Sequence, residues 1–187
     1  MQNNDKGQLR KLALSKRNEF TGKGREWAED KICETLLGND AVKKAHTIMC
    51  YVSFRSELQT RKIISELEKQ NKTLCFPVCG KNGVMQAWHP LNNDAWTTGM
   101  MGIREPDVEN SRLVLPEEIE LVICPMVAFD EQCRRMGYGG GYYDRYLPQC
   151  TKAVRIGIAF EVQRLESIIT DAYDQPMHHI ITEKKIY

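Results

Sequence analysis

Glycines and tyrosines crowded into one short segment form the strongest chemical signal in this sequence. The segment reads Gly137-Tyr138-Gly139-Gly140-Gly141-Tyr142-Tyr143-Asp144. Glycine tolerates positive φ and leaves main-chain N–H groups clear of any Cβ atom, so such a run can cradle an anion. Residues 142–147 have helix-forming length, and a helix N-terminus favours negative charge. The pattern therefore indicates a phosphate site, although glycine runs are also typical of tight turns.

Charged residues beside the glycines supply the rest of such a site. Arg134 and Arg135 precede the segment and are suited to phosphate oxygens, whereas Asp144 closes it and is suited to a magnesium ion. The segment lacks the Gly-Lys-Ser/Thr ending of a Walker loop, and its spacing does not fit a dinucleotide fingerprint. It therefore indicates an anion site of another type.

The flanking sequence predicts an alternation of helices and strands that would position these residues. Residues 6–20 have the apolar spacing of a helix with a basic outer face, which Gly22 and Gly24 are expected to end. Further helices are expected at 27–36, 60–70 and 165–169, and strands at 47–54, 73–78, 85–88, 120–124 and 154–160. Strand–helix–strand alternation predicts an α/β fold of three layers, a mainly parallel sheet with helices on both faces.

Length and composition favour one compact unit. The chain has 187 residues, of which 42% are hydrophobic and 27% are charged, and its formal net charge is +1. We expect a single domain over 1–187, with a small irregular lobe around 80–118 where turn residues are frequent. We expect neither a membrane span nor a secretory signal, and near-neutral charge gives no reason to bind nucleic acid.

The seven cysteines are an odd set without CxxC spacing. This usage argues against structural zinc and for a reducing compartment, where a thiol packs as a small hydrophobe. We therefore expect a cytoplasmic protein, a monomer whose partners are small molecules.

Several motifs, in order along the chain, resemble one enzyme family. Residues 126–130 and 135–145 are similar to the signature of the 5-formyltetrahydrofolate cyclo-ligase family, also called 5,10-methenyltetrahydrofolate synthetase. The likeness extends along nearly the whole chain, through Lys6 with Leu9-Arg10, Glu57 with Thr60, Gly102-Ile103-Arg104-Glu105-Pro106, Asp174, and Ile180-Ile181-Thr182-Glu183.

The resemblance implies a fold, a reaction and a set of ligands. The fold is the NagB/RpiA/CoA transferase-like one. The reaction is the ATP-dependent cyclisation of 5-formyltetrahydrofolate to 5,10-methenyltetrahydrofolate, which gives ADP and phosphate through a phosphorylated formyl intermediate. ATP is then a co-substrate, Mg²⁺ is the cofactor, and a reduced folate is the substrate.

The same resemblance implies roles for individual residues. Catalytic roles fall to Arg135 and Tyr142, and magnesium ligation to Asp144 and Asp174. ATP binding falls to Lys6, Arg10, Arg135, Met136, Gly137, Tyr138, Gly139, Gly140, Gly141, Tyr142 and Tyr143. Folate binding falls to Val52, Glu57, Tyr138, Gly139, Gly140, Gly141 and Tyr142.

These assignments have plainer structural alternatives. Lys6 and Arg10 could solvate a surface helix, Glu57 could be an acid at a helix entry, and Asp174 could be an ordinary loop acid. Two tryptophans could stack on a folate ring or pack in the core, and two adjacent histidines cannot ligate one ion from opposite faces of a strand. These residues are Trp88 and Trp96, and His178 and His179.

Two other classes of function stay open from the residues alone. A sugar-phosphate isomerase or CoA-transferase-like enzyme could use the same sheet and glycine segment, since one fold hosts many chemistries. ATP hydrolysis that depends on 5-formyltetrahydrofolate would distinguish the cyclo-ligase from these enzymes. A nonenzymatic anion- or RNA-binding module is the third candidate, and salt-sensitive RNA binding without turnover would favour it.

Overall fold

The computed structural model describes residues 2–99 and 102–187, with side chains from residue 6 onward. The helices are α1 (Gln2–Glu19), α2 (Gly22–Gly38), α3 (Asp40–Lys44), α4 (Arg61–Lys69) and α5 (Tyr142–Tyr146). The strands are β1 (Thr47–Met49), β2 (Thr73–Cys79), β3 (Met85–Pro90), β4 (Trp96–Thr98), β5 (Arg104–Pro106), β6 (Ser111–Val114), β7 (Leu121–Cys124), β8 (Ala128–Phe129), β9 (Arg135–Met136), β10 (Val154–Ile158) and β11 (His179–Ile181).

Seven strands form one sheet in the order β11-β10-β7-β1-β2-β3-β6. The strands from β11 to β2 pair in parallel, whereas β3 and β6 join antiparallel at the β2 side. Side chains of β7 alternate between the faces: Leu121 and Ile123 pack on one, Val122 and Cys124 on the other. A strand buried on both faces is apolar at every position, which explains the unbroken apolar run in its sequence.

Helices cover both faces of the sheet, so the predicted three-layer α/β fold is confirmed. On one face, α2 and α4 bury apolar residues such as Ile32 and Ile63 against the strands. On the other face, the short α5 packs through Tyr146. Ala13 of α1 is completely buried against the β8–β9 hairpin, where it packs with Met136. None of the described helices is long and apolar enough to cross a membrane.

The helix predicted at 165–169 is wrong. A short 3-10 turn at Glu161–Gln163 is followed by irregular chain as far as β11. The main-chain amide of Leu165 donates to the carbonyl of Phe129 at 2.8 Å, and the amide of Ile168 donates to the buried carboxylate of Asp130 at 2.9 Å. These tertiary bonds use the amides that a helix would pair internally.

Two predicted boundaries also need correction. The first strand ends at Met49 instead of continuing to residue 54, because the chain turns away from the sheet into the loop before α4. Gly22 and Gly24 do not end the first helix, which stops at Glu19. Gly22 has a φ of +68° and begins α2, and Gly24 lies inside α2.

The segment 80–118, predicted as an irregular lobe, contains sheet strands and a separate ribbon. β3 and β6 extend the main sheet, while β4 and β5 form a two-stranded ribbon of their own. The ring of Trp96 in β4 packs on Phe76 of β2 with 4.9 Å between centroids, so Trp96 serves the packing of the ribbon on the sheet. Met100 and Met101, which fall within the predicted lobe, lie outside the described residues.

Candidate active site

The sheet has its topological switch point between β1 and β7. After β1 the chain crosses through α4 to β2, which pairs with β1 on the side away from β7. The strand β10 pairs with β7 on the side away from β1, so the chain leaves the two central strands in opposite directions. The crevice beyond the carboxyl ends of strands at such a point is where open α/β sheets bind ligands. The loop at 50–60 follows β1 and the segment 125–141 follows β7, so both converge on this crevice.

The segment after β7 is braced by a buried aspartate before it reaches the glycines. Asp130 is completely buried, and its Oδ1 accepts the main-chain amides of Gln132 and Arg134, each at 3.1 Å. Its Oδ2 accepts Arg134 Nε at 2.6 Å. These hydrogen bonds close the β8–β9 hairpin and thereby fix the direction of the chain from Arg135 into the glycine segment.

The glycine segment adopts backbone conformations that other residues disfavour. Gly139 has a φ of +103° and Gly141 a φ of +66°. The main-chain N–H groups of residues 137–141 donate no hydrogen bond to any other described main-chain group. The helix that follows is only α5, so it contributes one turn of aligned dipoles. Free amides are therefore the feature of this segment that is best suited to an anion.

Arg10 connects α1 to the glycine segment. Its Nε donates to the carbonyl of Gly137 at 2.9 Å, and its Nη2 lies 3.5 Å from where a Cβ atom on Gly139 would be. One helical turn earlier, Lys6 Nζ lies 2.7 Å from Asp171 Oδ2 and 3.0 Å from Asp174 Oδ2. Burial lowers the pKa of Lys6, but its bonds to the two aspartates outweigh this and raise the pKa overall. The two cations thus line one edge of the crevice.

Arg135 and Asp144 form an ion pair behind the glycines. Arg135 Nη2 lies 2.7 Å from Asp144 Oδ1, and their side chains are 4% and 23% exposed. Buried Arg135 Nε has no hydrogen-bond partner among the described residues. The amide of Gln175, next to Asp174 in the chain, also donates to Asp144 Oδ1 at 3.3 Å. Both predicted metal ligands therefore lie in adjoining segments, each held by a cationic side chain.

The side chains of the three tyrosines and Met136 lie in different surroundings. Tyr138 is 47% exposed at the tip of the segment. The Tyr142 hydroxyl donates to the carbonyl of Gly80 at 3.2 Å, which ties the segment to the chain after β2. The Tyr143 ring lies under the Arg135 guanidinium, with 5.4 Å from Cζ to the centroid. The side chain of Met136 is buried against α1, so only its main chain faces the segment.

Glu57 and Thr60 shape the loop after β1. Glu57 Oε2 accepts the amide of Phe54 at 2.8 Å, and Thr60 Oγ1 accepts the amide of Ser53 at 3.1 Å. Glu57 is 7% exposed. Burial raises the pKa of its carboxyl, and hydrogen bonds from Phe54 and Tyr138, with the charge of Arg17, offset part of that rise. Because α4 begins four positions later at Arg61, the carboxylate stabilises the loop and not the helix entry.

A comparison with known proteins identifies the family of this chain. The sequence model of the 5-formyltetrahydrofolate cyclo-ligase family matches residues 2–183, a range that includes every predicted site residue. The chain belongs to this family. As predicted, it is therefore an enzyme of the cyclo-ligase type, and neither the isomerase-like nor the nonenzymatic alternative is supported.

Individual cyclo-ligases match over nearly their full length. The 5-formyltetrahydrofolate cyclo-ligase of Haemophilus influenzae is 30% identical over 179 residues, covering 93% of this chain and 95% of the relative. The Escherichia coli enzyme of the same name is 29% identical over 183 residues, covering 94% and 99%.

Solved structures share the fold. The NMR structure of 5,10-methenyltetrahydrofolate synthetase from Aquifex aeolicus has a TM-score of 0.85 at 29% identity and covers 97% of this chain and 91% of that one. A 5,10-methenyltetrahydrofolate synthetase from Mycoplasma pneumoniae has a TM-score of 0.79 at 24% identity and covers 96% and 99%.

Two charged residues of the candidate site were missed by sequence reasoning. Arg17 is buried between the loop after β1 and the glycine segment, and Asp171 holds Lys6. Arg10, Ala13 and Arg17 share one face of α1 at spacings of three and four residues, and that pattern could have revealed the buried arginine. Asp171 gave no signal, because its partner lies 165 positions away in the sequence.

Proposed function

We propose that the chain uses ATP to close 5-formyltetrahydrofolate to 5,10-methenyltetrahydrofolate, with ADP and phosphate as the other products. One observation carries the proposal: a row of main-chain N–H groups at 137–141, unused by other main-chain groups, lies between Arg10 and Arg135. Amides freed by glycine and flanked by guanidinium groups suit the phosphates of a nucleotide. The family supplies the identity of the second substrate.

The nucleotide phosphates are proposed to lie along the glycine segment. Arg10 and Lys6 would contact them from α1, and Arg135 from the opposite side. The unpartnered Nε of Arg135 supports this role, since a buried donor without an acceptor is costly unless a ligand satisfies it. We assign Arg135 to neutralise charge on the phosphoryl group in transfer.

A magnesium ion is proposed to accompany ATP, held by Asp144 and Asp174. Magnesium commonly binds one or two carboxylates together with substrate phosphates, and the two aspartates lie in segments joined by the Gln175 amide. When bound, the ion would neutralise phosphate charge. In this arrangement Arg135 and Lys6, now paired with these carboxylates, would turn to phosphate oxygens.

The folate is proposed to lie beyond the carboxyl end of β1. Glu57 is suited to the amino-pyrimidine edge of the pterin, because a carboxylate accepts from two adjacent N–H donors. Val52, half-buried on the same loop, would form part of the wall. Tyr138 and Tyr142 would border the folate on the side of the glycine segment, between the pterin and the phosphates.

The chemical problem is that a formamide oxygen is a poor leaving group. We infer that the bond from the γ-phosphorus to ADP breaks as a bond from that phosphorus to the formyl oxygen forms. The neighbouring folate amine then attacks the formyl carbon and loses its proton, and the carbon–oxygen bond breaks to release phosphate. The chain needs no nucleophile of its own, because its task is to hold the two substrates in line and neutralise charge.

One absorbance assay tests the reaction. The conjugated methenyl product should accumulate at neutral pH from 5-formyltetrahydrofolate only when the chain, ATP and magnesium are all present. Stoichiometric ADP, measured in parallel, checks the coupling. Product without ATP, or ATP hydrolysis that is indifferent to the folate, would overturn the proposal.

A pair of glycine variants tests the phosphate segment. Gly139→Ala forces a side chain onto a φ of +103°, which residues with a Cβ atom rarely adopt, so it should displace the amides. We expect the KM for ATP to rise about tenfold to a hundredfold, as small misplacements in active sites do. Gly38→Ala is the matched control, because nothing lies within 4 Å of its Cβ position. Equal KM values for both variants would contradict the assignment.

A further inference from the structure

Arg17 is a buried cation that the proposed chemistry does not yet use. Arg17 lies on the inner face of α1 and is only 1% exposed to solvent. Nε donates to Ser56 Oγ at 3.1 Å, Nη1 to the carbonyl of Met126 at 3.4 Å and Nη2 to the Tyr138 hydroxyl at 2.8 Å. All three acceptors are neutral. A buried charge is expensive unless it is paired, so an arginine held only by neutral groups calls for a reason beyond packing.

The three acceptors belong to three different walls of the crevice. Ser56 lies in the loop after β1, Met126 follows β7, and Tyr138 belongs to the glycine segment. The guanidinium also lies over the Tyr138 ring, with 5.7 Å from Cζ to the centroid. One rigid, planar group thus links the proposed folate wall to the proposed phosphate segment.

Glu57 follows Ser56 in the chain, so the guanidinium that binds Ser56 lies beside the loop that carries this carboxylate. Burial raises the pKa of the Glu57 carboxyl, whereas hydrogen bonds from Phe54 and Tyr138 and the charge of Arg17 lower it. Burial, and then the charge of Glu57, raise the pKa of the neighbouring Tyr51. Arg25 of α2 donates to the main-chain carbonyl of Glu57 at 2.7 Å and leaves the carboxylate free. The charge of Arg17 thus opposes the effect of burial on the pKa of this carboxyl.

We propose that Arg17 is a positioning residue for the folate, which ties the loop of Glu57 to Tyr138 of the glycine segment and so holds both side chains toward the pterin. The proposal rests on the function proposed above. A neutral carboxylic acid keeps only one good acceptor, so it would hold the amino-pyrimidine edge less well. Arg17 is too deeply buried to touch the substrate, and it acts on the folate through Glu57 and Tyr138.

Two substitutions separate charge from hydrogen bonding. Arg17→Gln removes the charge and keeps a donor for Tyr138, whereas Arg17→Lys keeps the charge and loses the planar fork. Affinity for 5-formyltetrahydrofolate is measured by calorimetry without ATP between about pH 4 and 8, from the ordinary range of a carboxyl pKa upward. Melting temperatures identify any variant that fails to fold, and Arg17→Lys, with its buried charge retained, then carries the test. Lys16→Met, exposed on the same helix, is the control.

Each variant has its own expected result. For Arg17→Gln, the acidic fall in folate affinity should move to higher pH, and affinity well below both midpoints should drop about tenfold for each pH unit by which the midpoint moves. Arg17→Lys should leave the midpoint in place and still weaken affinity through the loss of the Tyr138 bond. In a Glu57→Gln background, Arg17→Gln should cause no further shift with pH.

The outcomes distinguish this proposal from the proposed function. Unchanged folate affinity and an unchanged pH midpoint in both Arg17 variants would overturn the role of Arg17. A shift of the midpoint that persists without the Glu57 carboxylate would also overturn it. The proposed function is tested separately by turnover of the unaltered chain. Folate binding without ATP-dependent product would contradict the proposed function, while the measurement on Arg17 would stay valid.

Discussion

Replacing Asp144 by asparagine removes one negative charge and keeps the size of the side chain. The substitution has two expected consequences, one structural and one functional. Asp144 Oδ1 accepts from Arg135 Nη2 at 2.7 Å, so the variant weakens the only ion pair that the structure shows for Arg135. Asp144 is also a proposed magnesium ligand, so turnover should fall sharply.

The structural cost follows from the burial of the pair. Removing one partner of a fully buried ion pair costs about 3–5 kcal/mol. Here the Arg135 side chain is 4% exposed but that of Asp144 is 23% exposed, so water can reach the broken pair. The amide of asparagine can still accept one hydrogen bond from Arg135. We therefore expect Asp144→Asn to lower the free energy of unfolding by about 1–3 kcal/mol.

A double-mutant cycle separates the two consequences. Urea unfolding is measured for Asp144→Asn, Arg135→Gln and the double variant, and turnover is measured across a magnesium titration. The stability loss should largely disappear in the Arg135→Gln background, because the pair is already broken. Turnover of Asp144→Asn is compared with that of the unaltered chain, because Arg135→Gln is itself expected to lose turnover. Glu68→Gln, an exposed acid on α4, is the control. Full turnover of Asp144→Asn at limiting magnesium would refute the metal role, and undiminished stability would refute the buried pair.

Three other perturbations probe the fold and its pH response. Asp130→Ala leaves buried N–H groups and a cation without their acceptor, so urea unfolding should show a loss of about 3–5 kcal/mol; a loss below about 1 kcal/mol would contradict the bracing role. Gly157→Ala places a methyl group 2.0 Å from Met126 Cε, at the flexible end of that side chain, and 3.2 Å from Ile180 Cγ1 in the buried core; the repacking should cost about 1–3 kcal/mol by the same measurement, whereas a neutral result would show that these side chains move aside. Burial, then the charge of Arg155, lower the pKa of His178, so the folded chain binds its proton less readily than the unfolded chain does. The free energy of unfolding should therefore fall as the pH drops from about 6.5 through the folded pKa. His178→Asn should reduce this dependence on pH in melting curves, and an unchanged dependence would contradict the role of His178.

Features encoded within a few neighbouring residues were predictable from the sequence. The apolar runs of β2 and β7 indicated central strands, because a strand that is buried on both faces needs apolar side chains at nearly every position. The glycines at 139 and 141 have the positive φ that their residue type suggests. The chemistry of the family came from motifs in a fixed order, not from spacing or periodicity.

Features that depend on distant partners were not predictable. The segment 165–169 has apolar residues at helical spacing, yet its amides bind Phe129 and Asp130, so tertiary bonds override a weak local preference. Arg17 has the same residue type as solvated cations on α1, and only the fold shows that it is buried. The partners of Lys6 lie near the other end of the chain, so no local pattern could indicate them.

The carboxylates that hold Lys6 and Arg135 have a consequence for how anions arrive. A phosphate that binds Lys6 or Arg135 must displace an aspartate, because neither cation is unpaired. The net electrostatic gain of the exchange is therefore small, and selectivity has to come from geometry. We expect ATP affinity to weaken only gently as ionic strength rises, in contrast to sites where unpaired lysines attract phosphates over a Debye length.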